Sequence, residues 1–176
     1  MATRSQYHHG NLRRALVVAA RRYVAQGRLD WSLRDIAKDV GVSSAAPYRH
    51  FEDRDALMDA VAADVAEELA TVLDAASAQC RGRPSIAVLA RAYVKFAGER
   101  SREFRACAER GESSVAVLTP VWQKLADAWA QSARGAGGAH WLGARACIHG
   151  AAVLAAAGAD PGDLDEALAR LARVAG

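Results

Sequence analysis

Apolar residues along this chain recur every three or four positions, segment after segment, and nowhere alternate for long enough to make a strand. That period gathers side chains on one face of an α-helix, so it predicts an all-α fold. From Asn11 onward Leu12, Ala15, Leu16, Ala19, Ala20, Tyr23 and Val24 form such a stripe, and Gly27 stops it. Ser32 is placed to cap a second helix with Asp35 three residues on. Leu33, Ile36, Ala37 and Val40 make its apolar face before Gly41 breaks it. Ser43 is placed to cap a short third helix reaching about His50, with Pro47 in its first turn, where a missing N–H has no intrahelical partner to lose. From an Asp53 cap, Leu57, Val61, Val65, Leu69, Leu73 and Ala76 carry a fourth helix to about Gln79, roughly 40 Å long. Ile86, Leu89, Tyr93 and Phe96 mark a fifth beyond the 81–84 linker, and 101–110 reads as a sixth. Thr119 and Pro120 read as the cap and first residue of a seventh, carrying Val121, Trp122, Leu125 and Trp129. A turn with Gly135, Gly137 and Gly138 leads to an eighth from His140 to about Ala157, and 160–162 to a ninth, Leu164–Val174.

Composition agrees. Alanine supplies 42 of the 176 residues, so much of the 52% apolar content is small helix-forming surface rather than bulky core. The first fifteen residues are polar and basic with no apolar stretch of signal-peptide type behind them. The longest small-apolar run, 150–159, is half a membrane span. The expectation is a soluble, cytoplasmic protein with no membrane partner. Cys80, Cys107 and Cys147 are odd in number and widely spaced, which offers neither a disulfide framework nor a CxxC motif, and predicts buried free thiols. Charge is uneven: residues 1–51 carry a net +6 and the remainder −3. A basic N-terminal third on a mildly acidic body is the electrostatic footprint of a protein that meets a polyanion such as DNA.

No GxSxG, Gly-rich phosphate loop or HExxH is present, and His140, His149 and Cys147 lack metal-ligand spacing, so neither enzyme chemistry nor a metal or cofactor is expected. What carries function is the pair of helices meeting at Gly41. Ala37 lies four residues before it, and Ile36, Val40 and Val42 flank the turn. A helix-turn-helix needs a small residue where its helices cross, a glycine where φ is positive, and hydrophobes where the pair rests on a core.

Residues 7–57 resemble, over their whole length, the DNA-binding domain of TetR/AcrR bacterial transcriptional regulators. The matching parts are the alanine stripe of helix one, Ser32-Leu33-Arg34-Asp35-Ile36-Ala37, Gly41-Val42-Ser43, and Tyr48-Arg49-His50-Phe51 followed by Arg54 and Leu57. Tyr93-Val94-Lys95-Phe96-Ala97 and Ile148-His149-Gly150 look like the C-terminal domain type named for a Trp-His-Gly signature. Here Arg145 stands where that tryptophan is expected, and a tryptophan sits at Trp141. The resemblance implies a DNA-binding domain over 1–52 and a helical effector-binding and dimerisation domain over 53–176.

It also implies site residues. The third helix would enter the major groove with Ser43, Ser44, Ala45 and Ala46 at base edges. None of these makes bidentate contacts, so thymine methyls, the Ser44 hydroxyl and DNA shape would carry the specificity. Tyr48 and His50 would bond phosphates, as would the helix starts at Ser32, with Arg34 in its first turn, and at Asp53-Arg54. Arg4, with Tyr7, His8 and His9, forms an arm for the minor groove or the backbone. Arg13, Arg14, Arg21 and Arg22 read as solvated charge on the outer face of helix one. In the body, Gly150, Ala151, Ala152, Ala155 and Ala156 offer a small-residue face for a two-fold four-helix bundle. Tyr93, Phe96, Phe104, Cys107, Trp122, Trp129 and Trp141 are the candidates to line an apolar effector pocket. The function implied is a homodimeric repressor on a pseudo-palindromic operator, released by a small-molecule effector whose identity is open. The competing reading is a constitutive or structural DNA-binding protein with no effector.

Overall fold

The computed structural model describes residues 9–28, 30–82, 85–108, 110, 112–132 and 138–174, with eight α-helices, one 3-10 turn and no strand among them. The helices are α1 (His9–Ala25), α2 (Leu33–Val40), α3 (Arg54–Ala78), α4 (Ile86–Glu99), α5 (Ser101–Ala108), α6 (Glu112–Ser132), α7 (Gly138–Ala156) and α8 (Leu164–Val174). The 3-10 turn is Pro47–Arg49.

α1, α2 and the turn form a small head. Leu16, Ala20 and Val24 of α1 meet Leu33 and Ile36 of α2 in one core with Phe51 and Leu57, all essentially solvent-free. Tyr23 and Trp31 stack edge to face at 6.3 Å. α3 leaves this head from its Asp53 cap, whose carboxylate accepts the Ala56 N–H at 2.8 Å. Its 25 residues reach about 37 Å, far enough to pack against α1, α4, α5 and α6 in turn. Head and body therefore share one continuous apolar core. α7 lies against α4 through small residues: Ala90 and Ala97 are fully buried on one side, Ala151 and Ala152 buried on the other, and Gly98 faces Ala155. α8 closes the body with Leu164 and Leu168 inward.

Two expected helix starts are corrected. The seventh predicted helix begins at Glu112 rather than Thr119, and Pro120 lies inside it. The buried face of Leu118, Val121, Trp122 and Leu125 runs on through the proline, so tertiary burial holds the helix across the break. The proline gives up one hydrogen bond, to the Ala116 carbonyl, and Ala116 and Pro120 both lie on the exposed side of the helix, open to solvent. The other correction is the third helix, which is no α-helix. Ser43 O accepts the Ala46 N–H at 2.9 Å, Ala46 O that of Arg49 at 3.3 Å, and Pro47 O that of His50 at 2.9 Å, each three residues on. Pro47 has no N–H to return to Ser43, so an α-helical bond is impossible at that step and the tighter turn takes over.

Candidate DNA-reading surface

The reading surface is built on the cap of α2. Ser32 and Asp35 form the expected capping box: the Asp35 N–H donates to Ser32 Oγ at 3.3 Å, and the Ser32 N–H and Oγ donate to the Asp35 carboxylate at 2.8 and 2.6 Å. Those Ser32 bonds hold the Asp35 carboxyl below its usual range. Gly41 ends α2 at φ 79°, with its N–H on the Lys38 carbonyl and the Val42 N–H on that of Ala37. Ala37, at the crossing, is fully buried.

Beyond Gly41 the chain exposes Ser43, Ser44 and Ala45, half-buries Ala46 and buries Pro47. Tyr48 stands out, 51% exposed, and Arg34 and Arg49 are exposed beside the same elements. This is a surface of small polar side chains with one aromatic hydroxyl and two guanidinium groups. The remaining predicted contacts are placed differently. Arg54 lies over the Trp31 ring at 4.6 Å, so its head group is part of the packing. The half-buried His50 has its Nε2 enclosed without a partner among the described residues, which leaves Nδ1 as the nitrogen for any phosphate. At Ser32 the hydroxyl is already held by Asp35. Arg4, Tyr7 and His8 lie outside the described residues, and His9 opens α1.

The arginines of α1 are mostly engaged. Arg13 covers Phe51, Arg14 pairs with Asp64, and Arg22 pairs with Asp39 of α2. Arg21 corrects the expectation of a solvated face. Its side chain is only 18% exposed, and it binds three carboxylates: Asp64 at 2.7 Å and Glu68 on α3, and Glu103 of α5 at 2.8 Å. Burial opposes its charge, but these bonds more than offset burial and raise its pKa above the ordinary arginine value. Arg102, also of α5, donates to the Ala25 carbonyl at the end of α1 at 3.0 Å. Nothing in the sequence pairs residues so far apart; only the docking of α5 on α1 reveals the cluster.

In the body the aromatic candidates divide. Tyr93, Phe104, Trp122 and Trp141 form one ring cluster, with Tyr93 at 5.7 Å from Phe104 and 5.1 Å from Trp122, and Trp122 at 6.5 Å from Trp141. His149, which the sequence reading did not place in the pocket, joins it: the Tyr93 hydroxyl is 3.2 Å from His149 Nδ1. Beside the cluster, between α5, α6 and α7, lies a cleft of about 290 Å3. Ala108, Leu118, Trp122, Leu142, Arg145, Ala146 and His149 line it. Of the residues expected there, Trp122 lines it, Tyr93, Phe104 and Trp141 belong to the ring cluster beside it, and Phe96 and Trp129 are buried elsewhere. Cys107 is core: its thiol points at the Ala62 carbonyl, and burial pushes its pKa up to about 11.

The small-residue face is turned inward. Ala151, Ala152 and Ala156 are buried within the chain and Ala155 packs on Gly98, because α7 uses its smallest residues to approach α4. Of the residues expected at a dimer interface only Gly150 is exposed, and the apolar side chains beside it that reach solvent are Ala146, Val153 and Leu154. No helix among the described residues is long and apolar enough to cross a membrane.

Comparison with known proteins agrees with this architecture. The sequence profile described as "Bacterial regulatory proteins, tetR family" matches residues 16–61, from the core face of α1 into α3. A protein of unknown function from Rhodococcus sp. RHA1 is 31% identical, with 97% of this chain and 96% of that one aligned at a TM-score of 0.69. A TetR-family transcriptional regulator from Streptomyces coelicolor shares the fold at 21% identity, covering 95% and 96% of the two chains with a TM-score of 0.60. A TetR family transcription regulator from Marinobacter aquaeolei VT8 does so at 20% identity, 93% and 94% coverage and 0.59. A search of curated proteins finds no significant match. Fold and surface together define a helix-turn-helix, DNA-binding transcriptional regulator. Within that class the chain belongs to the tetR family of bacterial regulatory proteins, whose members regulate transcription and are not enzymes.

Proposed function

We propose that this regulator is a homodimeric repressor that occupies a pseudo-palindromic operator in the cytoplasm and leaves it when a small molecule fills the cleft of the body. In this reading residues 1–52 are the reading head and 53–176 the effector-binding and dimerising unit. The observation that carries ligand control is the position of α5. Arg102 and Glu103 at its start hold α1 of the head, and Ala108 at its end borders the cleft. A guest that displaces Ala108 moves a rigid two-turn helix, and the Arg21 cluster transmits that motion to the reading surface. A ligand shifts DNA affinity only by as much as it prefers one arrangement, so hundredfold release needs roughly 2.7 kcal/mol of differential binding, and DNA must weaken the ligand's affinity by the same factor.

Dimerisation is assigned to the outer side of α7, where Gly150, Val153 and Leu154 form an exposed apolar strip that a two-fold axis would set against itself. Each subunit then offers one reading turn to successive major grooves. The experiment is footprinting across the DNA flanking this protein's own coding region, with and without small-molecule candidates. A symmetric footprint lost on adding compound is expected. A footprint that no compound shifts, on a protein whose cleft demonstrably binds one of them, would point instead to a constitutive regulator.

A further inference from the structure

The cleft has an unusual charge arrangement. Among the described residues its walls are apolar, with Trp122, Leu142 and Ala146 among them, and its titratable side chains are Arg145 and His149. No Asp or Glu among the described residues lines it. The Arg145 guanidinium lies 4.7 Å from the Trp122 ring centroid and makes no ion pair among the described residues. Other largely enclosed arginines here do have counter-charges: Arg21 holds three carboxylates, and Arg110, 19% exposed, holds Asp59 at 2.8 Å. A guanidinium stacked on an indole keeps its N–H fork free in the ring plane's neighbourhood, and that fork matches a carboxylate. His149 adds a neutral donor. Burial and the nearby Arg145 charge lower its pKa, which favours the uncharged ring. The Tyr93 hydroxyl is 3.2 Å from Nδ1, and in the tautomer where that hydroxyl donates, the ring proton is on Nε2, facing away from it.

We propose that the cleft takes a small apolar or aromatic carboxylate, its hydrocarbon part against Trp122, Leu142 and Ala146, its carboxylate on the Arg145 guanidinium, and His149 Nε2–H as a second donor. The cleft's 290 Å3 lies at the small end of ligand pockets, which sets the size class. The proposal rests on the reading of this cleft as the effector site and adds the charge of the ligand.

The test is calorimetric titration of the full chain with matched acid and amide pairs, 1-naphthoate against 1-naphthamide and octanoate against octanamide, with the Trp122 indole N–H followed by NMR. At least one acid is expected to bind ten-fold or more tightly than its amide and to shift the Trp122 signal. Arg145→Gln should erase that preference and Arg145→Lys should keep most of it; the acid and amide comparison on the unaltered chain stands even if a variant folds poorly. Acid and amide binding equally with Trp122 shifted would overturn the carboxylate class and leave the cleft reading intact. Binding by neither would overturn both. A preference for acid that survives in Arg145→Gln would place the anion elsewhere and overturn the proposal.

Discussion

Gly41 sets the angle between the capped helix α2 and the exposed turn, and it does so through its backbone. No atom lies within 4 Å of where a Cβ would stand, so a side chain has room; the cost of adding one is the positive φ of 79°. Gly41→Ala is expected to lower stability by about 1–2 kcal/mol in urea titrations, and Gly41→Asn by less, because asparagine tolerates the left-handed region. Tyr48 is the opposite case. Half exposed as it is, Tyr48→Ala should leave the melting temperature nearly unchanged and weaken DNA binding on any sequence by about 1–2 kcal/mol per subunit. Fluorescence anisotropy showing unaltered affinity would remove Tyr48 from the contacts. His149 adds a pH signature. Its folded pKa lies below the ordinary 6.5, so between the two values the unfolded chain binds more protons. Stability therefore rises with pH through that window, is fully present above about 6.5, and is lost as pH falls through the folded value. His149→Gln should flatten this part of a melting-temperature profile measured from about pH 5 to 8.

Among the elements, α5 does more than its eight residues suggest. Glu103 is 7% exposed and buries a charge that Arg21 compensates among the described residues, with Asp64 drawn into the same cluster. Arg21→Met should cost about 3–5 kcal/mol, since removing one member strands the others without a counter-charge. Adding Glu103→Gln should recover part of that loss, and a double-mutant cycle by chemical denaturation measures the coupling. Additive losses from the two substitutions would mean that α5 is held to the head by packing alone. The sequence places Arg21 on the side of α1 facing away from the α2 core, which is correct. That side is not solvent, because the body packs there.

For the whole molecule the decisive element is α7, which faces α4 with one side and leaves an apolar strip on the other. Val153→Arg puts a charge on the strip and is expected to give a folded monomer by sedimentation, with specific operator binding lost together with the dimer. Ala152→Arg puts the same group at a position with no solvent exposure and should unfold the body instead. A Val153→Arg protein that stays dimeric would move the interface to another face. The contrast between two residues adjacent in the chain is a test of helix rotation, not of composition.

Local chemistry made much of the protein legible without coordinates. The capping box at Ser32, the left-handed stop at Gly41 and the Asp53 cap are short-range devices, and the residues that form them lie within a few positions of each other. The helical period marked all-α architecture for the same reason, because one turn of helix spans four residues. What the sequence alone could not settle depends on partners far apart in the chain. Pro120 sits inside a helix because a buried face continues past it. Arg21 is an internal hub because α3 and α5 bring it three carboxylates. The alanines of α7 are core because α4 approaches them. Periodicity tells which side of a helix is apolar, but where two sides of one helix are both small and apolar, only the packing of its neighbours decides which is buried.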